Sequence, residues 1–169
     1  MDQKARILLG VLVLLLVVGA VLGVDAVQRR KSALSPAEGQ ATPVPGSIPI
    51  YVDDQLAGSF TPADLERLDQ ASFVDAEEGK TQEGWLLADV LWLHVDEDAL
   101  APGTLVTVSS SSREKSAEMT WAEVSDPANL VLFDLSGRGT LKLVSVLERL
   151  DVRGEWVQDV DLIEVVSDR

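Results

Sequence analysis

The apolar positions fall into two regimes. Residues 7–24, ILLGVLVLLLVVGAVLGV, run eighteen positions without a charge; at about 1.5 Å per residue such a helix spans roughly 27 Å, close to a bilayer's hydrocarbon core. From residue 48 onward the apolar residues come in short bursts. IPIYV at 48–52 alternates as a strand, residues 53–58 read as a turn, and Ser59 and Phe60 as a short returning partner. TQEGWLLADVLWL places Leu86, Leu87, Val90, Leu91 and Leu93 at helical spacing with Asp89 outward, which predicts the longest amphipathic helix of the domain. LVTVS at 105–109 alternates, residues 117–120 return antiparallel to it, and 110–116 connect them. LVLFDL at 130–135 reads as a buried strand, Gly137-Arg138-Gly139 as a tight loop, 141–147 as alternating chain, and Trp156-Val157 with 162–166 as closing strands.

Two helix starts are legible. Thr61-Pro62-Ala63-Asp64 offers a capping threonine, a proline at the first helical position and an acid three residues on. Thr120-Trp121-Ala122-Glu123 fits the capping box, in which the threonine hydroxyl and the glutamate carboxylate satisfy each other's backbone amides. With no internal repeat, the segments predict an α+β class: short mixed strands with two or three helices.

Charge divides the chain in the same way. Over residues 48–169, nine basic residues stand against twenty-five acidic ones, a net charge of −16, compared with −14 for the whole chain. Such a field argues against nucleic acid and an anionic lipid surface as partners of this domain. The basic residues Lys4, Arg6, Arg29, Arg30 and Lys31 flank the apolar run instead. The run exceeds the usual core of a signal peptide, about 7 to 15 residues, and a basic cluster follows it directly; an uncleaved anchor is therefore expected over a cleaved signal. The flanking charges nearly balance under the positive-inside rule, and the expectation that the first basic residues stay inside places the domain outside the cytoplasm. The expected organisation is a transmembrane anchor at 1–31, a Pro/Ala/Ser-rich linker at 32–47 and a domain at 48–169, with the membrane as partner through the N-terminal helix.

Candidate chemistry is sparse. The chain has no cysteine, which removes disulfides, thiolate nucleophiles and thiolate metal ligands, and a single histidine, His94, at the end of an apolar run. That placement reads as a helix-end or hydrogen-bonded surface histidine, not a ligand. No nucleophile–base pair is visible, and no catalytic or metal-ligating residue is expected. Asp96-Glu97-Asp98 lack the regular spacing of a calcium loop, and they read, with Asp159 and Asp161, as solvated acidic surface. The serine-rich SSSSREKS at 109–116 holds no glycine with which to cradle phosphate, so it is expected to be a hairpin tip.

The order of segments from 48 to 167 resembles the oxidoreductase molybdopterin-binding domain, the sulfite-oxidase-like fold, in a minimal form. The resemblance is carried by FTPADLERL, EGWLLADVLWL, LVTVSSSSREKSAEMTWAEV, LVLFDLSGRGTLKLVSV, with Lys142 where the family places a basic residue, and EWVQDVDLIEVV. It implies that fold, and it implies a molybdenum-ligating cysteine in the segment where this chain reads ASFVDAEEGKTQEG. That residue is missing. The resemblance therefore suggests a degenerate, non-catalytic member, a pseudoenzyme serving as a membrane-anchored binding or assembly module with no cofactor. The alternative is an oxidoreductase-related protein binding a molybdopterin-type cofactor or a small anion near Arg138 and Lys142. A third expectation is a protein partner met by Trp85, Trp92 or Trp121, with Trp92 the leading candidate because Leu91 and Leu93 flank it on the helix.

Overall fold

The computed structural model describes residues 43–168. The expected anchor and the first part of the linker, through residue 42, lie outside the described residues. Strand β1 (Ile48–Val52) turns into β2 (Gln55–Phe60) through Asp53 and Asp54. Both turn residues have positive φ, 48° and 66°, the geometry that matches a two-residue hairpin turn to strand twist. The turn is thus two residues long instead of the six expected, and the returning strand is correspondingly longer.

Pro62–Arg67 forms a 3-10 turn and not an α-helix. The Asp64 carboxylate accepts from both the backbone N–H and the hydroxyl of Thr61, at 2.8 Å each, as the start signal foretold. Strand β3 (Gln70–Val74), which the sequence pattern did not mark, pairs with β4 (Thr81–Leu86). The expected helix over TQEGWLLADVLWL is therefore split. Its first half is strand β4, and only Leu87–Trp92 is helical, α1. Leu87, Ala88, Val90 and Leu91 of α1 are buried, whereas Trp92 is 53% exposed.

Strands β5 (Leu105–Ser110) and β6 (Lys115–Thr120) form the expected hairpin, with a tip shortened to 111–114. The capping box opens α2 (Trp121–Ser125): Glu123 N donates to Thr120 Oγ1 at 3.3 Å, and Thr120 N donates to Glu123 Oε2 at 2.8 Å. Strands β7 (Leu132–Leu135), β8 (Leu141–Val144), β9 (Val157–Gln158) and β10 (Leu162–Val166) complete the fold. The alternating stretch at 141–147 is a strand only as far as Val144.

The class is α+β, with two five-stranded sheets ordered β2-β1-β10-β5-β6 and β3-β4-β7-β8-β9. All pairs are antiparallel except β1 with β10. In the first sheet the register aligns Ile50, Ile163, Val108 and Ala117 across four strands. In the second it aligns Trp85, Phe133, Leu143 and Val157. Both rows belong to one continuous core, which also takes in the buried residues of α1 and α2.

Because side chains alternate across a strand, the next row of the second sheet faces the opposite way. It aligns Gly84, Asp134, Lys142 and Gln158. A smaller apolar cluster of Leu132, Val144 and Trp156 covers part of that face. Among the described residues, no helix is long and apolar enough to cross a membrane.

Candidate functional site

Lys142 stands on β8 in the middle of this outer face. Its ammonium donates to Gln82 Oε1 at 2.7 Å, reaching across β7 to β4, and pairs with Asp134 Oδ2 at 3.0 Å. It also lies 5.2 Å from the centre of the Trp156 ring, within cation–π range. On the same row Gly84 lets β4 and β7 pack closely: a Cβ there would sit 2.0 Å from the Phe133 carbonyl oxygen. Trp156 is fixed in turn by its indole N–H, which donates to Leu150 O at 3.0 Å. An ammonium has three donors, so Lys142 keeps one beyond these two partners.

Arg138 is presented by the β7–β8 turn. That turn is closed by Ser136 N donating to Thr140 O at 2.8 Å and Gly139 N to Ser136 O at 2.9 Å. Gly139 has φ +79°, a conformation glycine takes without steric cost. Arg138, Lys142, Arg153, Trp156 and Gln158 line one cavity of about 330 Å³. The two residues named from the sequence thus share a site. A second cavity of about 290 Å³ shares Arg153, Trp156 and Gln158 with the first, and adds Arg113 and Lys115.

Sequence reasoning missed Arg113, Lys115 and Arg153, and the topology delivers them. The serine-rich tip docks onto the β9–β10 connection. Ser110 Oγ donates to Asp159 O at 2.8 Å, while the amide and hydroxyl of Ser111 both donate to the Asp161 carboxylate. These bonds carry Arg113 and Lys115 to the cleft, where the Lys115 ammonium donates to Gly154 O. The tip is a hairpin, as expected, and its serines are anchors.

Each cation but Lys115 already meets a carboxylate. Asp159 accepts from Arg113 Nε at 2.7 Å, from Arg138 Nη2 at 2.9 and 3.1 Å, and from the Thr140 hydroxyl at 2.7 Å. The Thr140 hydroxyl, the Arg113 guanidinium and the charge of Arg138 hold the Asp159 carboxyl below its ordinary range. Arg153 Nη1 chelates Glu78 at 2.8 and 2.9 Å. Five cations thus gather on one cleft of an acidic domain, four of them paired with Asp159, Asp134 or Glu78, and Glu77 and Asp161 stand at its edge.

The donor set does not fit a molybdenum centre. The segment in which the resemblance implies a cysteine covers most of β3, the β3–β4 loop and the start of β4, and it reaches the cleft through Gln82, which accepts from Lys142, and through Glu77 and Glu78, which bind the backbone and side chain of Arg153. It brings carboxylates, not sulfur. Asp75 in the same loop is buried, with Oδ1 accepting from Glu77 N at 2.8 Å and Oδ2 without a partner. Among the described residues, no group of three or more His, Cys, Asp or Glu is placed to hold a metal.

His94 is at the end of α1, as expected, but it is not a hydrogen-bonded surface residue. It lines a separate cavity of about 480 Å³, stacks on Phe60 with ring centres 6.1 Å apart, and buries Nε2 without a partner. Burial, helped by Arg67 and opposed by Asp64, pushes its pKa below 6.5. Of the tryptophans, Trp92 is the exposed one, edge-on to buried Trp121 at 5.7 Å. No family model matches the chain, and no curated protein matches it.

Proposed function

We propose that this protein is a membrane-anchored binding module, not an enzyme. In this reading it keeps a sulfite-oxidase-like fold without molybdenum chemistry and holds a small anion in the cleft of Arg138 and Lys142. The segment at 7–24 tethers it with the domain outside the cytoplasm, and the linker stands the domain off the bilayer. One observation carries the reading: five of the nine basic residues between 48 and 169 gather around Trp156 and Gln158, although the domain's net charge is −16. A cluster of forked and ammonium donors on an otherwise acidic surface gives an anion one place of favourable contact.

The site favours binding over reaction. Ser136 Oγ is engaged with Thr140 Oγ1 at 2.7 Å, Thr140 Oγ1 donates to Asp159 at 2.7 Å, and the one histidine lines another cavity, so the hydroxyls of this cleft serve as turn and carboxylate partners without a histidine base beside them. Planar guanidiniums and a half-sheltered ammonium suit a tetrahedral oxyanion. The test is titration of the full chain with inorganic phosphate and sulfate at constant ionic strength, alongside a double Arg138→Ala, Lys142→Ala variant. Saturable binding by the parent and a loss of at least about tenfold in the variant are expected, since a hydrogen bond to a charged group is worth at least that factor. Equal binding by both, or none by the parent, would refute the reading.

A further inference from the structure

Asp159 occupies an unusual position in the cleft. Its two carboxylate oxygens are the point where Arg113, from the β5–β6 tip, and Arg138, from the β7–β8 turn, converge. We propose that Asp159 is a built-in counter-anion, and that a tetrahedral oxyanion of the phosphate class binds by displacing its carboxylate from Arg113 and Arg138. The proposal rests on the reading of the cleft as an anion site, and it says what the ligand must replace.

Three observations support displacement over simple addition. First, the contact is accessible: the side chains of Arg113 and Arg138 are 43% and 60% exposed, and that of Asp159 is 19% exposed. Second, the backbone of Asp159 is held without its carboxylate. Its carbonyl accepts from Ser110 Oγ, and the flanking amides of Val160 and Asp161 donate to Leu141 O and Ser109 O, both at 3.0 Å. The side chain can therefore swing out while the connection keeps its shape. Third, two guanidiniums face one monoanion, so a phosphate dianion matches their charge where a carboxylate leaves an excess. A tetrahedral oxyanion also presents more oxygens to the forked donors than a carboxylate does.

The backbone of Asp159 is itself left-handed, φ 56°, a conformation that asparagine shares readily. Asp159→Asn therefore removes the charge, keeps an oxygen for the Thr140 hydroxyl and suits the local geometry. The experiment titrates the full chain, held in detergent micelles, with inorganic phosphate at constant ionic strength, and repeats it with Asp159→Asn. A parallel arm uses a short-chain phosphatidate to separate a lipid headgroup from free phosphate. Removing the competing carboxylate should tighten binding by about tenfold, the scale of one charged hydrogen-bond partner. Tightening in either arm supports displacement and identifies the source.

Equal or weaker binding by Asp159→Asn, with the parent binding normally, overturns displacement and leaves the anion site standing. No binding by either protein overturns both. If the variant does not fold, the parent decides by NMR: the Nε–H signals of Arg113 and Arg138 must both move as phosphate saturates, and an unmoved Arg113 overturns the proposal.

Discussion

Gly84 and His94 show how single residues constrain the molecule beyond what their types announce. Gly84 lets β4 and β7 approach closely. Gly84→Ala must push a methyl group into the Phe133 carbonyl oxygen, which is backbone and cannot swing aside. A loss of about 3 kcal/mol or more, the upper range for overpacking, is expected in urea denaturation; a loss under about 1 kcal/mol would show that the strands separate freely. His94 is tested through pH. Its folded pKa lies below 6.5, so the unfolded chain binds the proton first as pH falls. The stability it contributes is complete above pH 6.5 and is lost as pH falls from there through the folded value. His94→Phe should flatten that slope in thermal unfolding between about pH 6.5 and 5, above the carboxylate range. Neither effect was legible in the sequence, because a glycine between a glutamate and a tryptophan and a histidine at the end of an apolar run signify nothing until their neighbours in space are known.

At the level of elements, the capping signals and the short strand alternations survived folding, whereas the long helical period did not. The Thr120 box needs only residues 120–123, and it formed as expected. Arg149 reinforces it from outside, pairing with Glu123 at 2.6 and 2.7 Å. That ion pair, with the Thr120 bonds behind it, lowers the Glu123 pKa from 4.5 to about 2. The stability it brings is complete above about pH 4.5 and is lost as pH falls towards 2, so Glu123→Gln should weaken the acid-unfolding slope in that window. Thr120→Ala should cost about 0.5 to 2 kcal/mol in chemical denaturation, and an unchanged midpoint would mean that the hydroxyl caps nothing. TQEGWLLADVLWL misled for a physical reason. A six-residue helix is under two turns long, so its apolar residues merge with Leu86 of the preceding strand and Leu93 after it into one apparent helical period. Strand β3 escaped notice because edge position leaves its alternation half exposed and weakly apolar.

Over the whole molecule, two of the five cations of the candidate site were readable. Arg138 and Lys142 flank one turn and carried the resemblance, whereas Arg113, Lys115 and Arg153 reach the cleft only through pairings some forty residues apart or more. No local pattern encodes such a meeting. The domain's charge makes a further prediction: a chain truncated to begin at Gly46 should stay soluble and monomeric in size-exclusion chromatography, because −16 repels copies of itself. Aggregation would reveal an apolar face that needs a partner, with Trp92 the first suspect. The decisive prediction concerns molybdenum. The metal in its pterin complex wants an anionic sulfur ligand from protein, and this chain offers only the neutral thioethers of Met1 and Met119. The loop in which a cysteine is implied brings Glu77 and Glu78 to the cleft edge, where they consume the charge of Arg153 and repel an anionic dithiolene. Lys142 is likewise divided between Gln82 and Asp134. A host that makes molybdopterin should therefore yield protein without stoichiometric molybdenum and without sulfite oxidation, as measured by elemental analysis and a steady-state assay. About one molybdenum per chain, lost on Lys142→Ala, would restore the cleft to catalysis and end the reading of it as a simple anion site.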